Sequence, residues 1–136
     1  MMTWAELNEV RDLNKAIEDV TKEIDMLHLS LALKIPERDG MPKAKPLNSR
    51  VERIAIRITD AENKLAELKK LLEDAIPRLE NKIRAEIKDT TARTLFIFRY
   101  IDCMYFLDIG FAMGYSERHI YYLHKITGEK IVSDWY

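Results

Sequence analysis

Residues 113–125 read MGYSERHIYYLHK, a glycine, a tyrosine and a serine placed immediately before a helical pattern of aromatic and basic residues. Gly114 is suited to closing one helix, and Ser116 to capping the next, with Glu117 at the positive end of that helix. From there the spacing predicts a helix to about Ile131, with Ile120, Leu123, Thr127 and Ile131 as an inward row. Arg118, Tyr121, Tyr122 and Lys125 then face outward.

Working back along the chain, FLDIGFAMG reads as a short helix closed by Gly114, and DCMY as its connector. DTTARTLFIFRYI before it offers Asp89 or Thr90 as the cap of a dense apolar helix. Helix, short helix, glycine turn and capped helix is the layout of a helix-turn-helix.

The first two thirds have a different texture. Val10, Leu13, Ile17, Val20, Ile24, Leu27 and Leu31 alternate steps of three and four, the seam of a coiled coil. Thr3 and Glu6 suit a capping box at its start. A second seam runs through Val51, Ile54, Ile58, Ala61, Leu65, Leu68, Leu72, Ala75 and Leu79, capped by Asn48 or Ser49. Between them KIPERDGMPKAKPLNS removes backbone donors and favours turns, so 35–49 reads as a loop. Pro77 inside the second stripe predicts a kink or break, and because apolar spacing resumes at Ile83 and Ile87 the helix is read as kinked and continuing to about Lys88.

The expected fold is therefore all-α, a long antiparallel coiled-coil hairpin over 1–88 followed by a helix-turn-helix module over 89–136. Leu7, Met26, Leu29, Ile56 and Ile76 flank the seams and need cover, which pairing of two hairpins into a homodimer would supply.

A third of the 136 residues is charged, glycine and proline are scarce, and no apolar run reaches the length of a membrane span. MMTWAELNEVRDL lacks the basic front and apolar stretch of a secretion signal. This is the profile of a soluble protein of the cytoplasm with no membrane partner. Cys103, the single cysteine, cannot make an internal disulfide and suits a buried apolar position.

Net charge is −1, and from Asp89 onward five Lys/Arg face six Asp/Glu. The locally positive stretch is Lys34 to Arg57, with seven basic residues against three acidic, so Lys43, Lys45 and Arg50 are a candidate secondary phosphate contact.

No phosphate loop, nucleophile elbow or Cys/His pair is present, and the carboxylates alternate with lysine and arginine on helix faces, which argues against an enzyme with a small-molecule substrate. The three histidines are too few and too badly spaced for a metal site; His119 and His124, five apart, point away from each other. No cofactor is expected.

The run RTLFIFRYIDCMYFLDIGFAMGYSERHIYYLHK resembles the carboxy-terminal module of small phage and prophage transcription regulators of Gram-positive bacteria. Those proteins join a helical hairpin to a helix-turn-helix similar to region 4 of sigma-70 factors; RinA- and ArpU-type late-operon regulators share the general plan. The closest features are RYI with its short linker, the MGYS turn and the SERHIYYLH helix start, and Met41–Pro42 in the central loop also fits.

The resemblance implies double-stranded DNA as partner, RNA polymerase as a candidate second partner, and Ser116, Glu117, Arg118, Tyr121, Tyr122 and Lys125 as the DNA-binding residues. The chain departs from the pattern at FLDIGFA, where a more polar helix is usual, at Gly110, where alanine is common, and at Tyr121 and Tyr122, where arginine and glutamine are frequent. Two other roles fit the same layout. One is a protein-interaction module that binds RNA polymerase or a host factor without reading DNA. The other is site recognition for genome packaging, as in small terminase subunits.

Overall fold

The computed structural model describes residues 1–33 and 49–135. The fold is all-α: α1 spans Trp4–Ala32, α2 Arg50–Glu86, α3 Thr90–Tyr100, α4 Phe106–Met113 and α5 Glu117–Ile131. Local signals account for the boundaries. Thr3 Oγ1 accepts from the Glu6 N–H at 3.2 Å, Ser49 Oγ from Glu52 at 3.1 Å, Asp89 Oδ2 from Ala92 at 3.0 Å and Ser116 Oγ from His119 at 3.2 Å. Each bond satisfies an amide that a helix leaves unpaired at its amino end. The Glu6 carboxylate is engaged by Lys82 Nζ.

α2 continues through Pro77 to Glu86, in line with the expected continuation past the proline. Proline deprives the Glu73 carbonyl of its helical donor, but both residues are exposed, so water can serve that oxygen. Meanwhile Ala75 and Leu79 are buried and hold the segment in helical register.

The chain divides into two compact units, Lys15–Lys70 and a second made of Met1–Asn14 with Leu71–Tyr136. The contacts therefore do not divide the chain at residues 88 and 89. In the first unit Val20, Ile54, Ile58 and Ala61 are buried along the two seams. There Arg50 donates to the Ser30 carbonyl at 2.5 Å and to its hydroxyl at 3.2 Å, tying the last turn of α1 to the first of α2.

In the second unit the beginning of α1 and the end of α2 run in opposite directions, joined by ion pairs Glu6–Lys82 and Glu9–Arg78, with the terminal amine on Glu86. Leu7, Val10, Ala75, Leu79, Ile83 and Ile87 form one apolar cluster with Leu95, Phe96, Tyr100, Ile109, Ile120 and Ile131. Leu7 is thus fully buried within its own chain, and Ile76 is half-buried against the same cluster, so neither needs a second copy for cover. Met26, Leu29 and Ile56 remain exposed, as does Val51 at the start of its seam.

The two ends of the chain meet in this unit. Met2 forms an isolated parallel bridge with Val132, donating to the Ile131 carbonyl at 3.0 Å and accepting from Ser133 at 3.0 Å. Asp134 Oδ1 accepts from the Trp4 N–H at 2.7 Å, adding a cap to α1 from 130 residues away.

Between α4 and α5 the backbone turns at Gly114, with φ at 76°, and the Tyr115 N–H returns to the Gly110 carbonyl at 2.9 Å. A Cβ on Gly110 would lie 2.8 Å from the Tyr115 carbonyl oxygen, whereas one on Gly114 would meet nothing. Glycine at 110 instead of alanine is thus a consequence of the turn's closeness. Gly114→Ala should cost about 1 kcal/mol through its positive φ. Gly110→Ala should cost more, ~2 kcal/mol, because backbone has to move. Urea unfolding of the two variants checks the order.

Candidate nucleic-acid interface

With Ser116 capping and Gly114 turning the chain, α5 lays Ile120, Thr127 and Ile131 into the core, with Leu123 half-buried beside them. At 100° per residue Arg118, Tyr122 and Lys125 fall on one line on the opposite side, and all three are exposed. Glu117 and the Ser116 cap are exposed at the start of the helix. Tyr121 lies to one side of that line, 50% exposed, with its ring 4.6 Å from that of Phe106. His119 sits between Tyr115, at 4.9 Å, and Tyr122, at 6.4 Å.

The support beneath Tyr121 is layered. The Arg99 guanidinium lies 4.1 Å from the Phe106 ring centroid and donates to the Met104 carbonyl at 3.0 Å. Burial and the neighbouring Arg11 lower the Arg99 pKa from its ordinary value. A cation held against one face of Phe106 and Tyr121 packed on the same ring restrict how far Tyr121 can swing. Tyr121 is therefore a braced residue, and Arg118, Tyr122 and Lys125 are the three that project without such bracing.

His124, on the α5 side away from His119, enters the core edge. Its Nε2 lies 2.5 Å from the Tyr100 Oη, and its ring packs against Phe96, Tyr100, Phe106 and Trp135 at 4.9–5.7 Å. Burial, then the charges of Arg99 and Arg11, push its pKa down to about 4. Burial pushes Tyr100 up to about 12. Both groups are thus neutral at neutral pH, and the phenol can donate to an unprotonated imidazole nitrogen.

Cys103 departs from the expectation of a simple buried residue. It is half-buried at a φ of 57°, in the connector between α3 and α4, and its Sγ accepts from Asn14 Nδ2 at 3.3 Å. A left-handed backbone at a non-glycine residue in this short connector is a local feature that hydrophobic pattern does not report.

Of the basic cluster expected as a second contact, Lys43 and Lys45 lie outside the described residues. Arg50 belongs to the Lys15–Lys70 unit, half-buried and committed to Ser30.

The sequence reading passed over one surface. On α4, Ile109 and Gly110 face inward, while Leu107 and Phe111 are exposed, Phe111 at 79%. Tyr105 and Tyr115, on either side of the helix, are exposed as well. Leu107, Phe111, Tyr115, Ser116 and Glu117 line a shallow depression of about 140 Å³. The i, i+4 spacing of Leu107 and Phe111 was a signal for it, once Ile109 is taken as the inner side.

No helix among the described residues is long and apolar enough to cross a membrane. No protein-family model matches the chain, and neither a curated protein nor a solved structure matches it significantly.

The His124 environment sets a pH dependence. Its folded pKa of about 4 lies below the ordinary value of 6.5. On acidification the unfolded chain therefore takes up a proton that the folded chain refuses, and stability falls as pH drops from the upper value through the lower one. The contribution should be about 2 kcal/mol lost between about pH 7 and about pH 4.5. Chemical denaturation across that range should show a shallower decline for His124→Gln than for the unsubstituted protein.

Proposed function

We propose that this protein is a DNA-binding transcription regulator of the phage and prophage kind, with α4, the Gly114 turn and α5 acting as a helix-turn-helix. The reading is carried by the division of α5 into a buried row and an exposed row. Arg118, Tyr122 and Lys125 stand clear of the core on one helical face, ahead of an amino end capped by Ser116. A helix so presented can enter a major groove, with Arg118 near its start able to form a bidentate pair with guanine. Lys125 and the tyrosine hydroxyls can reach phosphates.

The module carries no excess of positive charge, since its five Lys/Arg are outnumbered by six Asp/Glu from Asp89 onward. One copy should therefore bind weakly, and two copies on paired half-sites gain effective concentration. Met26 and Leu29 near the end of α1, with Leu33 just beyond it, form an exposed apolar stripe that suits pairing of two copies. Contact with RNA polymerase would serve the same end.

Replacing Arg118, Tyr122 and Lys125 together by alanine should weaken binding to duplexes selected from a random pool by about tenfold or more. It should also reduce the slope of log affinity against log salt by about 2, one for each lost cation. Mobility shift at several salt concentrations measures both, and unchanged binding would remove the assignment. Pairing is read separately: Met26→Glu with Leu29→Glu should halve the mass in light scattering.

A further inference from the structure

We infer that the outer face of α4 is a docking surface for a cationic amphipathic helix of a protein partner. Leu107 and Phe111 stand one turn apart on this face, and with Tyr115, just past the Gly114 turn, and Ser116 and Glu117 they line the depression beside it. Phe111 is 79% exposed in a helix whose inner side is already occupied by Ile109 and Gly110. Side chains spaced one turn apart beside a shallow depression suit a second helix that lays its own apolar row alongside.

Charge selects the occupant. Asp108 on α4 and Glu117 in the lining of the depression are both exposed, and the chain from Tyr100 to Glu117 contains no lysine or arginine. An apolar strip with such a rim repels a phosphate backbone and an anionic lipid surface. Two-fold pairing with the same face of a second copy would set Asp108 and Glu117 among their own duplicates. A helix with an apolar row flanked by lysine and arginine answers both features, the apolar row covering Leu107 and Phe111 and the cations meeting the rim. The surface does not include Arg118, Tyr122 or Lys125, although Ser116 and Glu117, which the resemblance implies for DNA, line its edge.

The probe is a fluorescein-labelled peptide with leucines at helical spacing and lysines on its other face. It is compared by anisotropy with the same residues in scrambled order and with a version carrying glutamate for lysine. The full-length protein should bind the patterned cationic peptide at least tenfold more tightly than either control. Leu107→Ser with Phe111→Ser should lose that tenfold without a change in helical content, since both side chains are exposed. Asp108→Lys with Glu117→Lys should transfer the preference to the glutamate peptide.

The Arg118, Tyr122 and Lys125 triple alanine variant should bind the peptide as the unsubstituted protein does, which separates this test from that of DNA binding. Equal binding of patterned and scrambled peptides, or no effect of the Leu107 and Phe111 substitutions, overturns the inference. So does a matching loss of duplex DNA affinity in the Leu107 and Phe111 variant, which would assign this face to DNA.

Discussion

The backbone of Met2, held between Ile131 and Ser133, is the constraint on which the Met1–Asn14 and Leu71–Tyr136 unit depends. Two main-chain bonds and the Asp134 cap on Trp4 attach the first turn of α1 to the residues that follow α5. Trp135 continues the join: its ring approaches Trp4 at 5.2 Å edge-on and His124 at 4.9 Å, and it lies so close over Gly128 that a Cβ there would be 2.5 Å from it. The carboxyl end of α5 is thereby held by the clasp, while its amino end is set by the Gly114 turn and the Ser116 cap. A helix held at both ends presents its outer face in a defined direction.

Beneath that face the packing is aromatic and partly polar. Tyr100 and His124 satisfy each other across the contact of α3 with α5, so burying them leaves fewer polar atoms without a partner. Arg99 and Tyr121 both pack on the Phe106 ring, so the guanidinium and the phenol share one support. The module thus has two chemically distinct exteriors, a sparse cationic and aromatic row on α5 and an acidic-rimmed apolar strip on α4. A DNA-binding regulator that also engages a protein would use both, and the departure of FLDIGFA from a polar helix gains a physical purpose on that reading.

The Lys15–Lys70 unit is built more thinly. Two stripes bury Val20, Ile54, Ile58 and Ala61 and half-bury most of the other seam residues. An additional apolar stripe, Met26 and Leu29 in the last two turns of α1 and Leu33 just beyond its end, is exposed among the described residues. Its limited extent suits a contact local to those turns more than a full-length four-helix seam.

Much of the architecture was legible in the residues. Ser49, Asp89 and Ser116 cap because a short oxygen-bearing side chain reaches an unpaired amide three residues on, and the inner row of α5 follows from its spacing alone. These are interactions over three to seven residues. The helix continues past Pro77 because that residue's local cost is outweighed by buried neighbours on either side, whereas Leu7 misled because its cover comes from the far end of the chain. By itself the sequence determined five helices, most of their limits and the outward placement of Arg118, Tyr122 and Lys125. Only the tertiary structure decided that α1 and α2 lend their adjoining ends to the C-terminal helices, that Tyr121 is braced, and that α4 leaves Phe111 uncovered. Those outcomes depend on contacts between distant segments, such as Asp134 with Trp4, and no local periodicity encodes which distant surface will arrive to fill a given face.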